Sequence, residues 1–158
     1  MASKKRIRTE AQDLPSVLDV AAYILADRGE MPAIKLQKLC YYSQAWSLVW
    51  DDRPLFNEPI QAWTNGPVIP ALYSAHRGQY SVSTISGGDP SALNDDQCDT
   101  INAVMKYYGD KSSQWLSNLT HMEDPWRDAR RGVAPGEPSS NEITLEAMAE
   151  YYSSLSAH

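Results

Sequence analysis

Residues 35–50 read KLQKLCYYSQAWSLVW, residues 51–63 DDRPLFNEPIQAW, and residues 64–77 TNGPVIPALYSAHR. Leu36, Leu39, Cys40, Ser43, Trp46 and Trp50 recur at three- and four-residue steps, which predicts a long amphipathic helix with Tyr42, Ala45 and Val49 widening its apolar face. The polar run Asp51-Asp52-Arg53 ends it, because a residue before proline, here Pro54, is driven out of the helical region. Leu55-Phe56 and Ile60-Gln61-Ala62-Trp63 are too short for helices and flank Asn57-Glu58-Pro59, so they read as a small hairpin or a pair of extended segments. Asn65-Gly66-Pro67 follows as a tight turn in which Gly66 takes a positive φ. Pro70 suits the first position of a helix running through Tyr73 and His76.

The flanks supply further helices. Ser16 with Asp19 forms a capping pattern for a helix carrying Val17, Val20, Ala21, Ile24 and Leu25, with Gly29 as its stop. Residues 80–85 alternate like an edge strand before the mobile-looking Ser86-Gly87-Gly88-Asp89-Pro90. Asn94 or Asp95 caps a helix with Ile101, Val104, Met105 and Tyr108 on one face, stopped by Gly109. Another helix starts near Ser113, and His121-Met122-Glu123-Asp124-Pro125-Trp126 turns into a short helix ending at Gly132. Residues 134–141, rich in Pro, Gly and Ser, read as a surface loop, and Thr144 caps a last helix bearing Leu145, Met148, Ala149, Tyr152 and Leu155.

These elements predict a mainly α fold with one small hairpin. The 158 residues suit one domain, divided into a flexible basic arm over residues 1–13 and a single helical domain over residues 14–158. The net charge is −6, from 14 basic and 20 acidic residues. Because Lys4, Lys5, Arg6 and Arg8 all lie in the arm, the remainder is more acidic still and opposes general phosphate binding. A nucleic-acid-associated regulator acting through that arm is the alternative reading. No apolar run approaches the roughly 18 residues of a membrane span, and the N-terminus lacks a secretory pattern. Two unpaired cysteines, Cys40 and Cys98, suit a reducing compartment, so a cytoplasmic protein is expected.

Catalytic and metal chemistry find little support. His121-x-Glu123 lacks the P-C-x-x-C partner of a zinc deaminase. His121, Glu123 and Asp124 as metal ligands compete with the reading of Asp124 as a helix cap before Pro125, which is preferred. Cys40 with His76 is a conceivable thiol and base, yet Cys40 falls on an apolar helix face where thiols are inert. No phosphate loop, dinucleotide fingerprint or hydrolase elbow is present. The chain is therefore read as a non-enzyme without cofactor. Tryptophan and tyrosine, apolar yet carrying donors, are enriched at protein interfaces. Trp46 and Trp126 are assigned to the core. Trp50, Trp63 and Tyr73, beside Arg53, Asn57, Glu58 and Asn65, are expected to form the partner-binding surface, with residues 80–90 extending its rim.

The same residues carry a resemblance. Leu36, Lys38, Leu39, Tyr41, Ala62-Trp63, Gly66-Pro67-Val68, Pro70, Tyr73 and Asp124-Pro125-Trp126, in that order, resemble the Panacea domain over about residues 17–130, with a weaker tail to Tyr152. That family includes phage-associated GepA-type proteins and SocA-like antitoxins. The resemblance implies a mainly helical domain that neutralises a protein toxin, encoded by the adjacent gene, through direct binding. In SocA-like members it implies delivery of the toxin to a cytosolic protease. The distance in sequence between the two halves of the motif leads to the expectation that Trp126 packs on the central helix near Leu39 or Tyr42.

Overall fold

The computed structural model describes residues 14–156. In chain order these form α1 (Val17–Arg28), β1 (Met31–Pro32), α2 (Ala33–Trp50), β2 (Ile60–Trp63), β3 (Gly66–Val68), α3 (Pro70–His76), β4 (Ser81–Val82), a 3₁₀ turn (Pro90–Ala92), α4 (Asp95–Tyr108), α5 (Ser113–His121), α6 (Asp124–Ala129), β5 (Glu142–Ile143) and α7 (Leu145–Ser156). The fold is mainly α. Its sheets are small: β1 pairs with β4, and β3-β2-β5 form three antiparallel strands.

Local chemistry places most helix ends where the sequence expects them. Ser16 Oγ accepts from the Leu18 and Asp19 amides while the Asp19 carboxylate accepts from the Ser16 amide, and Gly29 closes α1 at φ +82°. Asn94 and Gln97 form the same reciprocal box on α4. These pairings satisfy amide donors that a helix start otherwise leaves open. At α6, however, the N-cap is Glu123 and makes no side-chain capping bond, so Asp124 is the first helical residue and not the cap expected.

Helix α2 departs from the amphipathic expectation. Every residue from Leu36 to Ala45 is buried, because α1, α3, α4, α5, α7 and β3 surround it. A helix enclosed on all faces must satisfy its polar side chains internally, and two glutamines do so by acting like peptide groups. Gln44 Oε1 accepts from the Leu55 amide at 2.6 Å and its Nε2 donates to the Phe56 carbonyl at 2.8 Å. Gln37 Oε1 likewise accepts from the Ile69 amide at 2.8 Å. Leu55 and Phe56 are therefore buried without a strand partner, and the hairpin lies one turn later than expected. Its strands are β2 and β3, with Trp63 opposite Gly66 and Ala62 opposite Pro67, so Thr64-Asn65 form the connection. Gly66 has φ +121° as expected, but within a strand.

Further differences concern the distal segments. Only Ser81-Val82 of the 80–85 run pairs, and the following loop packs on α1, with the Asp89 amide donating to Asp19 Oδ1 at 2.8 Å. The strand β5, not foreseen, carries Ile143 into the core opposite Ile60. Trp126 is half-buried and packs against the core cluster that contains Leu39 and Tyr42. Its Nε1 donates to the Trp63 carbonyl at 2.8 Å, its ring stacks on His121 at 4.1 Å, and the Arg130 guanidinium sits 5.1 Å over it. The link from this region to α2 is Glu123, which accepts from Tyr42 at 2.7 Å and from Tyr152 at 2.6 Å, while Tyr41 and Tyr152 hydroxyls lie 3.1 Å apart. Burial pushes the Glu123 carboxyl above its ordinary range, and the Tyr152 and Tyr42 hydroxyls pull it back. A buried carboxylate with two phenolic donors joins α2, α6 and α7 in one connected polar network.

Candidate functional site

A groove of about 920 Å³ opens between the start of α2, the β2-β3 hairpin, α3 and the segment 138–140. Its walls come from sequence-distant pieces held by specific bonds. The Arg130 side chain, itself buried, donates to the Ala62 carbonyl at 2.9 Å and to the Glu137 carbonyl. The Ala62 amide donates to the Asn141 carbonyl at 2.8 Å. These bonds lay the Pro-rich segment along the hairpin, so that Pro138, Ser139 and Ser140 become one wall. On the opposite side Trp63 meets Tyr73 edge-on at 5.1 Å, and Tyr73 in turn meets His76 at 5.5 Å. Tyr80, 81% exposed, stands at the mouth.

Lys38 lies in the groove lining although only 1% of it is accessible. Its Nζ donates to the Pro67 carbonyl at 3.3 Å. Burial alone pulls its ammonium down to about 8 from the ordinary 10.5, and no carboxylate among the described residues offsets that burial. The position follows from Gly66: a β-carbon there would lie 2.5 Å from Lys38 Cε and 3.0 Å from Thr120 Oγ1. Only glycine lets the β3 backbone come down on the lysine stem. Behind Lys38, His121 Nε2 is buried without a hydrogen-bond partner. Burial, then the nearby Lys38 and Arg130 charges, hold this imidazole below its ordinary value.

The aromatic and amide groups around the lysine are fixed as well. Trp63 Nε1 donates to Gln61 Oε1 at 2.8 Å. Gln37 Nε2 lies 3.0 Å from His76 Nε2, so a donating amide there requires the unprotonated ring nitrogen, in line with burial holding His76 low. None of the lining residues is acidic, in a chain whose acidic residues outnumber its basic ones. The groove thus combines aromatic walls, amide groups and one deeply placed cation.

Of the expected partner-binding residues, the groove brings together Trp63, Asn65 and Tyr73. Trp50, Arg53 and Glu58 lie outside it. Trp50, 49% exposed, stacks on Trp46 at 5.1 Å at the far end of α2. At 1.5 Å per residue that end is about 18 Å from Lys38 along the helix axis. The Glu58 carboxylate accepts from the Val17 amide at 3.0 Å, at the positive start of α1. Asn57 too is not among the lining residues, so three of the seven expected residues share the groove. Lys38 enters through its burial, and Gln37, His76 and residues 138–140 through chain topology. Lys38 stands in the ordered motif from Leu36 to Trp126, but its spacing marks only a helix position and does not tell a buried lysine from a surface one.

The expected inertness of Cys40 has a physical basis here. Its thiol is fully buried, and burial pushes it far above the ordinary thiol value, which suppresses the thiolate that nucleophilic chemistry requires. Among the described residues no cluster of His, Cys, Asp or Glu has the arrangement of a metal site. No described helix is long and apolar enough to cross a membrane. The basic arm, and with it the nucleic-acid alternative, lies outside the described residues.

No curated protein and no solved structure matches the chain. The family model for the antitoxin SocA-like, Panacea domain matches residues 36–127, which contain most of α2, the hairpin, the Lys38-Gly66 contact and the start of α6. That match spans more than half of the chain, and the protein belongs to the SocA-like Panacea-domain antitoxin family.

Proposed function

We propose that this protein neutralises a protein toxin by binding it directly, and that the groove beside Trp63, Asn65 and Tyr73 receives the toxin. The single observation behind this reading is the groove itself: about 920 Å³ of concave surface with exposed aromatic groups and no acidic lining residue. Aromatic anchors in a desolvated pocket carry most of the free energy in protein interfaces. Family membership supplies the class of partner. The toxin is expected from the adjacent gene, and sequestration rather than chemistry accounts for its silencing.

Co-expression with the adjacent reading frame, scored for growth rescue and for a complex that survives purification, tests this reading. Trp63→Ala and Tyr73→Ala should each keep the fold and weaken the complex by about tenfold or more, as truncation of interface aromatics does. Rescue with no detectable complex would overturn it. Rescue that disappears when cytosolic proteases are inhibited, with the complex still formed, would assign delivery for proteolysis in place of sequestration.

A further inference from the structure

We propose that the groove recognises an acidic side chain of the toxin, an Asp or Glu flanked by apolar residues, whose carboxylate pairs with the Lys38 ammonium. This rests on the reading of the groove as the toxin site. It adds the chemistry of the residue that must enter.

Lys38 provides the central argument. An ammonium carries three N–H donors, and one of them reaches the Pro67 carbonyl at 3.3 Å. The lysine is almost wholly buried yet belongs to the groove lining, so a ligand meets it only at the small part of its surface left open there. Buried charges in folded proteins are normally paired. The charged or titratable groups beside Lys38 are His121 of α5 and, in the groove lining, His76 of α3 and the Tyr73 and Tyr80 phenols, with Arg130 acting on His121. None is a carboxylate, and no described carboxylate forms an ion pair with Lys38. A partner that brings one negative charge therefore meets a preformed, desolvated cation. In such surroundings a charge-assisted bond is stronger than at an exposed surface.

The flanking chemistry follows from the walls. Trp63 and Tyr73, in a T-shaped contact, and Tyr80 at the mouth offer aromatic surface for apolar neighbours of the acid. A side-chain carboxylate fits better than a chain terminus, because terminal carboxylates are gathered by runs of backbone N–H groups. Beside Lys38 that backbone is unsuitable: Pro67 has no N–H, and the Ile69 amide already donates to Gln37.

The test uses small probes and a spectroscopic readout in the groove. Binding of 3-phenylpropionate and of its neutral amide is followed by the Trp63 indole N–H resonance, assigned with Trp63→Phe. The acid should bind about tenfold more tightly than the amide, the scale of one hydrogen bond to a charged group. Lys38→Met should abolish that preference while circular dichroism shows an unchanged fold, and Lys38→Arg, which keeps the charge, should retain part of it. Equal binding of acid and amide, or a preference that survives Lys38→Met, would overturn the proposal. The blocked peptide acetyl-Phe-Glu-Leu-amide should bind more tightly than acetyl-Phe-Gln-Leu with a free terminus; the reverse order would overturn the choice of a side-chain acid. In the toxin assay, neutralisation that persists in Lys38→Met but fails in Trp63→Ala would remove the carboxylate claim alone. Neutralisation untouched by both would remove the groove as the toxin site.

Discussion

Replacing Lys38 with methionine keeps an unbranched apolar stem out to the ε position and deletes the buried ammonium. Burial holds the Lys38 ammonium at about 8 against the ordinary 10.5. At about 1.36 kcal/mol for each tenfold change in proton affinity, that gap makes the charged form about 3 kcal/mol costlier in the native protein than in the unfolded chain. Below pH 8 both states are protonated and the cost is present in full. Between pH 8 and 10.5 the native lysine has released its proton while the unfolded one retains it, so stability rises with pH across this window. Methionine has no such dependence. At pH 7 Lys38→Met should be more stable than the wild type by about 2 kcal/mol, after about 1 kcal/mol is deducted for the lost bond to Pro67. By pH 10 the difference between the two proteins should have shifted by about 2 to 3 kcal/mol toward the wild type. Urea denaturation of both proteins from pH 7 to 10 measures this. The buried tyrosines, whose hydroxyls titrate higher in the native state, oppose the lysine at the alkaline end, but they are common to both proteins and cancel in the difference. Parallel stability curves would show that Lys38 is solvated as a charge, and the account of the groove floor would fall with them.

Two more expectations follow from the contacts around α2. Gly66→Ala places a β-carbon 2.5 Å from Lys38 Cε at a backbone φ of +121°, so it should lose about 2 kcal/mol or more in chemical denaturation and displace the lysine; unchanged stability would contradict the close approach. Tyr152→Phe removes a 2.6 Å donor from Glu123 and should cost about 1.5 to 3 kcal/mol near pH 7. Because that hydroxyl lowers the Glu123 carboxyl, its loss should raise it further, and the destabilisation should shrink as the pH falls and Glu123 protonates; a loss independent of pH would refute an ionised Glu123 at the network centre.

What the sequence by itself determined is what short-range chemistry decides. The capping boxes of α1 and α4, the Gly29 stop, Pro70 at the start of α3 and the positive φ of Gly66 all depend on neighbours a few residues away. The ordered motif from Leu36 to Trp126 also carried the family, because it samples several such elements in sequence. Tertiary structure decided which faces are covered and which distant groups meet. The α2 pattern looked one-sided because Gln37, Lys38 and Gln44 are polar, and polar residues ordinarily face water. In the fold they are buried: the two glutamines pair with irregular backbone and the lysine is covered by a glycine strand. The groove lining was decided in a similar way. Residues 50–73 are contiguous in the chain, but Trp50 ends α2 about 18 Å along the helix axis from Lys38, whereas Arg130, bonded to the Ala62 and Glu137 carbonyls, brings residues 138–140 to the hairpin across a long interval. Such closure depends on side chains finding carbonyls far away in sequence, and no local spacing encodes which ones they find.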